Sequence, residues 1–165
     1  MKTQILALLT ILTLTISCKK EEKKLFLSTK NINVENINFQ LPNDFNENGV
    51  NKWLFEKDKK IASIEINKNE SADLNSAIEE LKSQKMEPET NKYTLIESKK
   101  GDTLNKKYVL ETYKFNHSNY VGGYPVYSYE TFSAIEINNK ILTIYSFSLG
   151  FNLNNTMKKS ILNIK

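Results

Sequence analysis

Residues 125–149 read PVYSYETFSAIEINNKILTIYSFSL, and their two-residue periodicity decides the fold. Asn138-Asn139 divides the stretch. Asn tolerates the left-handed backbone of a tight turn, so Pro125 to Ile137 and Lys140 to Leu149 are expected to pair as a hairpin. Successive side chains on a strand point to opposite faces. Ile135 and Ile137 therefore share a face with Tyr127 and Tyr129, while Phe132 and Ala134 occupy the other. In the return strand Ile141, Tyr145 and Phe147 oppose Leu142 and Ile144. Strands that are apolar on both faces are central strands covered on two sides.

Working outward, Tyr93 to Ser98 and Leu104 to Phe115 are predicted to pair across Lys100-Gly101-Asp102, and Trp53 to Glu56 with Ile61 to Asn67 across Asp58-Lys59-Lys60. Between these hairpins Leu74, Ala77, Ile78 and Leu81 recur at i, i+3, i+4 and i+7, the stripe of an amphipathic helix. Ser71 is its expected N-cap, Asp73 lies in its first turn, and Pro88 closes the region. Ile37, Phe39 and Leu41 alternate with Asn38 and Gln40 in a strand stopped by Pro42-Asn43-Asp44. Met157, Ile161 and Ile164 at helical spacing predict a closing helix. The expected fold class is α+β: a single antiparallel β-sheet flanked by helices.

At 165 residues the chain has room for one ordinary domain. Apolar residues at 39% and charged residues at 25% describe neither a membrane bundle nor a disordered polymer. The formal net charge is +4, yet all 23 basic residues are Lys. Without Arg there is no bidentate fork for phosphates and guanine edges, so no nucleic-acid partner is expected. Lys2 and the run Lys19 to Lys24 supply most of the excess, and the remainder is close to neutral. One Cys and one His exclude a disulfide framework and a closed Cys/His zinc site, so neither a metal nor another cofactor is expected. His117, between Asn116 and Ser118, reads as a solvated loop residue, and Trp53 as a core or rim residue. With no G-x-S-x-G, Walker or H-E-x-x-H pattern, no catalytic residue is assigned and a non-enzymatic protein is expected.

The N-terminus reads as an address. Lys2 precedes the uncharged run Ile5 to Ser17, whose 13 residues rise only about 20 Å as a helix, short of a bilayer core of roughly 30 Å. This is the pattern of a signal peptide. Leu14-Thr15-Ile16-Ser17-Cys18 resembles the lipobox of bacterial lipoproteins, with Thr15 where Leu is most usual. The resemblance implies cleavage after Ser17, acylation of Cys18, and the membrane as a partner through that anchor. The following Lys19-Lys20-Glu21-Glu22-Lys23-Lys24 resembles the lipoprotein export signal of Bacteroidetes. With Lys20, Glu21 and Glu22 as its key residues, it implies the surface-facing side of the outer membrane. Asp102-Thr103-Leu104 resembles the O-glycosylation acceptor of envelope proteins from that phylum.

The order of elements is similar to that of the PsbP-like (Mog-like) α/β/α sandwich. Phe39-Gln40-Leu41-Pro42 with Phe45, the helix from Ser71 to Leu81, the hairpin from Tyr127 to Phe147 and the closing helix with Ser160-Ile161 carry the resemblance. The expected organisation is a signal peptide at 1–17, a lipidated Cys and flexible tether at 18–36, and a PsbP-like domain at 37–165. That family includes photosystem accessory subunits, a nuclear transport factor, bacterial lipoproteins and immunity proteins, so fold does not choose the function. The expected function is a lipid-anchored envelope protein that binds a protein or ligand at the membrane surface. A periplasmic immunity protein against a secreted toxin is the alternative, and an envelope hydrolase, which would need a cleft with perturbed carboxylates, the further one.

The most distinctive local stretch is Tyr120-Val121-Gly122-Gly123-Tyr124-Pro125-Val126-Tyr127. Gly122 and Gly123 permit a left-handed or closely approached backbone, and Tyr120, Tyr124 and Tyr127 combine an apolar body with a polar tip. Such a loop suits a partner surface, or else a hairpin whose tyrosines pack back on the sheet. The lysines at 57, 59 and 60, at 99 and 100, and at 106 and 107 alternate with acids and read as solvated hairpin ends.

Overall fold

The computed structural model describes residues 28–57, 60–88, 92–103, 106–121 and 124–149. The signal peptide, Cys18, Lys20, Glu21, Glu22, Gly122, Gly123 and the expected closing helix lie outside them. The described residues form β1 (Thr29–Val34), β2 (Ile37–Pro42), β3 (Asn46–Glu47), β4 (Lys52–Lys57), β5 (Lys60–Asn69), α1 (Leu74–Lys85), β6 (Tyr93–Thr103), β7 (Lys106–Val121), β8 (Tyr124–Ile137) and β9 (Lys140–Leu149). Strands β3 to β9 make one antiparallel sheet in the order β3-β4-β5-β9-β8-β7-β6, and β1 and β2 make a separate two-stranded sheet.

The β8-β9 hairpin is built as its sequence dictates. Asn138 and Asn139 have φ of 51° and 60°, and Ile137 pairs with Lys140, Ile135 with Leu142 and Phe132 with Tyr145. One face carries Ile135, Ile137, Leu142 and Ile144 with Ile64, Ile66 and Trp53; the other carries Phe132, Ala134 and Val109. Helix α1 covers the second of these with Ala77, Ile78 and Leu81. Asp73, and not Ser71, caps it: Asp73 Oδ1 accepts the backbone N–H groups of Asn75 and Ser76 at 2.8 and 3.0 Å. Ser71 instead donates its hydroxyl to Glu80 at 3.0 Å.

The expected sandwich of helices on both faces is corrected on the first face. Its cover is the β1-β2 sheet, through Val34, Ile37, Phe39 and Leu41, joined by Phe45. The described residues are therefore mostly β, with one helix against one face of the large sheet. The physical reason is local. Ile32 and Val34 repeat at period two, Glu35-Asn36 both take positive φ (53° and 66°) in a tight turn, and Ile37, Phe39 and Leu41 return. Abundant Asn and Lys made residues 29–34 read as tether, but alternation outweighs composition once a buried face is available. Each buried aliphatic side chain of this hairpin contributes roughly 1.5–3 kcal/mol, enough to hold two strands that would be marginal alone.

A second correction concerns Lys100-Gly101-Asp102, which is the interior of β6 and not a turn. Gly101 faces Tyr108 across the ladder, and that ring takes the space of the missing side chain: a Cβ at 101 would lie 2.3 Å from Tyr108 Cε1. A glycine inside a strand is here sheltered by the aromatic ring opposite it.

Leu142, fully buried on a central strand, and Val50, 85% exposed, bracket the energetics. Leu142→Ala is expected to cost about 2–5 kcal/mol of unfolding free energy, and Val50→Ala to stay within about 0.5 kcal/mol, as read from denaturant melts.

Candidate functional site

Two neighbouring features on β7 and β8 stand out from the packed core. The first is an extension of the hairpin. Tyr93, the first residue of β6, pairs with Phe115, and Leu149, the last of β9, pairs with Ser128. Beyond these, residues 116–121 and 124–127 pair only with each other among the described residues, as Asn116↔Tyr127, His117↔Val126, Tyr120↔Pro125 and Val121↔Tyr124. The register shifts between His117 and Tyr120. Among the described residues, Tyr120, Tyr124 and Tyr127 thus belong to a two-stranded arm that extends beyond the pairs made by Tyr93 of β6 and Leu149 of β9. Tyr127 is half-buried, and Lys114 Nζ lies 3.7 Å from its ring centroid. An ammonium group held over an aromatic face is attracted by its negative quadrupole. His117 is not a solvated loop residue: it sits on β7 with its ring 4.6 Å from that of Phe115, and its buried Nε2 has no hydrogen-bond partner among the described residues.

The second feature is a carboxylate among rings on the α1 side of the sheet, at the base of the arm. Glu130 is only 5% exposed. Register puts Tyr113 and Phe147 directly opposite it, with Ser128 and Phe132 two residues away along β8. A chain of aromatic contacts links the neighbourhood: Phe115 to Tyr93 at 4.5 Å, Tyr93 to Tyr113 at 6.3 Å, Tyr113 to Phe132 at 5.8 Å and Phe132 to Tyr145 at 5.4 Å. The Tyr145 hydroxyl donates to Glu130 Oε2 at 3.1 Å. Tyr93 accepts the backbone N–H of Glu87 at 3.2 Å, which leaves its own proton for the carboxylate. Burial pushes Glu130 above the usual carboxylate range; the hydroxyls of Tyr145 and Tyr93 oppose this without cancelling it, and the charge of Glu87 reinforces it. Burial, with the charge of Glu130, pushes the Tyr145 hydroxyl up as well.

Two ion-pair networks at the last turn of α1 border this cluster. Lys82 bonds Glu79 at 2.7 Å and Glu111 at 3.1 Å, and Glu111 accepts from the Tyr113 hydroxyl at 2.7 Å. Lys85 bonds Glu65 at 2.9 Å, and Lys52 reaches the same carboxylate at 3.2 Å. Burial disfavours the Lys82 charge, but its two carboxylates outweigh that and hold its pKa up. Burial likewise disfavours the Glu65 carboxylate, yet Lys85, Asn67 and Lys52 pull its pKa below the ordinary value.

Sequence reasoning passed over Glu130, although a signal existed. Glu130 shares its parity with Phe132 and Ala134, so an acid on that face had to be buried. Trp53 is a core residue, and its indole N–H is buried without a partner among the described residues. Lys99 and Lys100 lie within β6; Lys99 bonds Glu97 at 3.0 Å and Lys100 donates to Asn75 at 3.2 Å. A shallow hollow of about 400 Å³ near the start of α1 is lined by Leu74, Asn75, Lys100, Gly101, Asp102 and Tyr108 among others, and Glu130 is not in it. Among the described residues no group of three or more His, Cys, Asp and Glu side chains gathers as a metal site, and no helix is long and apolar enough to cross a membrane.

No protein-family model and no curated protein sequence matches the chain. Among solved structures it is similar to PA94 of Pseudomonas aeruginosa, a protein of unknown function, with 13% identity, a TM-score of 0.46, and coverage of 82% of this chain and 94% of that one. It is also similar to the Ran-binding protein Mog1p of Saccharomyces cerevisiae, with 11% identity, a TM-score of 0.42, and coverage of 81% and 82%. A third likeness, to a protein of Bacteroides thetaiotaomicron, has 12% identity and a TM-score of 0.41, and covers 78% of this chain and 44% of that one. Likeness at this level transfers no partner or activity.

The raised Glu130 carboxyl gives stability a sign with pH. Between its ordinary pKa and its raised folded value, the folded state keeps a proton that the unfolded chain has released, so stability falls as pH rises through that window. Glu130→Gln removes this slope. Its stability relative to the parent is expected to improve as pH rises through the carboxylate range and then to level off, in denaturant melts taken at a series of pH values. Glu65, whose shift is opposite, is common to both proteins and drops out of the comparison.

Proposed function

We propose that this chain is a non-enzymatic binding protein of the bacterial cell envelope, held to the outer membrane by lipid on Cys18 and facing outward. In this reading the β7-β8 arm, with Tyr120, Gly122, Gly123, Tyr124 and Tyr127, meets a protein partner. The observation that supports it most directly is the pairing pattern: among the described residues, 116–121 and 124–127 pair only with each other, beyond the pairs that Tyr93 of β6 and Leu149 of β9 make. Tyrosine brings large contact area at small entropic cost, which suits such an arm to binding. The anchor rests on Ser17-Cys18 after the apolar run, and the outward orientation on Lys20, Glu21 and Glu22. An acyl chain contributes about 0.8 kcal/mol per buried methylene, so a multiply acylated cysteine retains a protein of this size at a membrane.

Cys18→Ala is expected to abolish both sedimentation with membranes and incorporation of labelled palmitate; a variant that keeps both sinks the anchor. Protease added to intact cells is expected to remove a C-terminal epitope tag, and a protected tag would place the domain in the periplasm. Tyr120→Ala combined with Tyr124→Ala is expected to weaken partner capture while moving the melting temperature little, whereas a collapse in stability would mean that these rings pack on the sheet.

A further inference from the structure

The two margins of the large sheet are unlike. β3, at one margin, is two residues long and offers almost nothing for another strand to pair with. β6, at the other, is 11 residues long, and among the described residues no strand lies on its outer side. Two large apolar side chains left in water are on this strand: Leu95 is 50% exposed and Ile96 44%. A bulge between Leu95 and Glu97, together with Lys99 and Lys100, guards the margin against indiscriminate pairing. The same charges favour one specific pairing.

We propose that β6 pairs antiparallel with β6 of a second copy of this chain, about a two-fold axis through Ser98. In that register Glu97 lies directly opposite the partner's Lys99, and Lys99 opposite the partner's Glu97. Opposed residues share a face of the joined sheet, so both pairs are in contact, and opposite charges there stabilise. Glu97 and Lys99 already bond within one strand at 3.0 Å, so the same groups are in position to bridge the axis. Moving the axis to Lys99 or to Lys100 sets an ammonium group against its own copy. Moving it to Gly101 pairs Lys100 with the partner's Asp102 but leaves Leu95 and Ile96 in water. The Ser98 axis brings Ile96 against the stem of the partner's Lys100. The interface is isologous and closes on itself, so it makes dimers and not fibres.

The test places a single cysteine in the full chain carrying Cys18→Ala and oxidises it with copper phenanthroline at low micromolar protein. Ser98→Cys is expected to give a disulfide-linked dimer, because directly opposed residues have Cα atoms about 4.5–5.5 Å apart, within the reach of a disulfide. Thr94→Cys sits about 27 Å from its copy in this register and is expected to link at least about tenfold more slowly. Adding Glu97→Lys to Ser98→Cys should suppress the link, and adding Lys99→Glu as well should restore it, which also shows that the chain still folds. No link at 98, equal linking at 94 and 98, or no recovery in the double exchange would overturn the proposal.

Discussion

Every other contact in the structure depends on the two-sided burial of β8 and β9. Because Ile135 and Leu142 serve one core while Phe132 and Ala134 serve the other, no register slip is tolerated: a shift by one residue would turn each set toward the wrong layer. The Asn138-Asn139 turn sets that register, and the sheet then extends it outward through β7 and β6 on one side and β5 and β4 on the other. Each face must then find a cover. A helix suits one, because Ala77, Ile78 and Leu81 form a narrow stripe over Val109 and Ala134; the short β1-β2 pair suits the other.

The end of α1 marks a change in the character of the second face. Over the helix the sheet is aliphatic and closed. Past Lys82 and Lys85 it becomes aromatic and acidic, with Glu111 and Glu65 taking the two ammonium groups and Glu130 accepting from the Tyr145 hydroxyl. The lysine pairs tie the last turn of the helix to β7 and β5, and each lysine also lies over a ring, Lys82 over Tyr113 and Lys85 over Tyr145. The side chains of these pairs are 16–25% exposed on the Lys85-Glu65 side, so desolvation offsets much of their attraction and their role is to orient the helix more than to strengthen it.

How much of this could be read from residues alone depended on the length of the pattern and on how far composition agreed with it. The central hairpin and α1 were legible because each repeats its period several times, from Phe132 to Ile144 and from Leu74 to Leu81. β1 was hidden, since Ile32 and Val34 give only two apolar points within a polar stretch, and their partners lie beyond a turn. The length of β6 was hidden for a different reason. Lys100-Gly101-Asp102 has the local chemistry of a turn, and only the ring of Tyr108, seven residues on, makes that glycine acceptable in a strand. The arm was legible as a tyrosine- and glycine-rich stretch, but which of its residues pair with β6 and β9 among the described residues depends on partners distant in sequence, which no local pattern records.

The order of strands also has a temporal side. The large sheet consists of two runs of sequence neighbours, β3-β4-β5 and β6-β7-β8-β9, joined by one seam between β5 and β9. Across that seam Asn69 meets Ile141 and Ile61 meets Leu149, so every pair there closes a loop of more than 70 residues, whereas the other pairs are hairpin contacts. Loop-closure entropy makes such a seam slow to form. For a chain emerging N-terminus first at 5–20 residues per second, β5 stands without its neighbour for roughly 4–16 seconds before β9 is available. During that interval Ile64 and Ile66 belong to a half-built sheet whose open margin is β5.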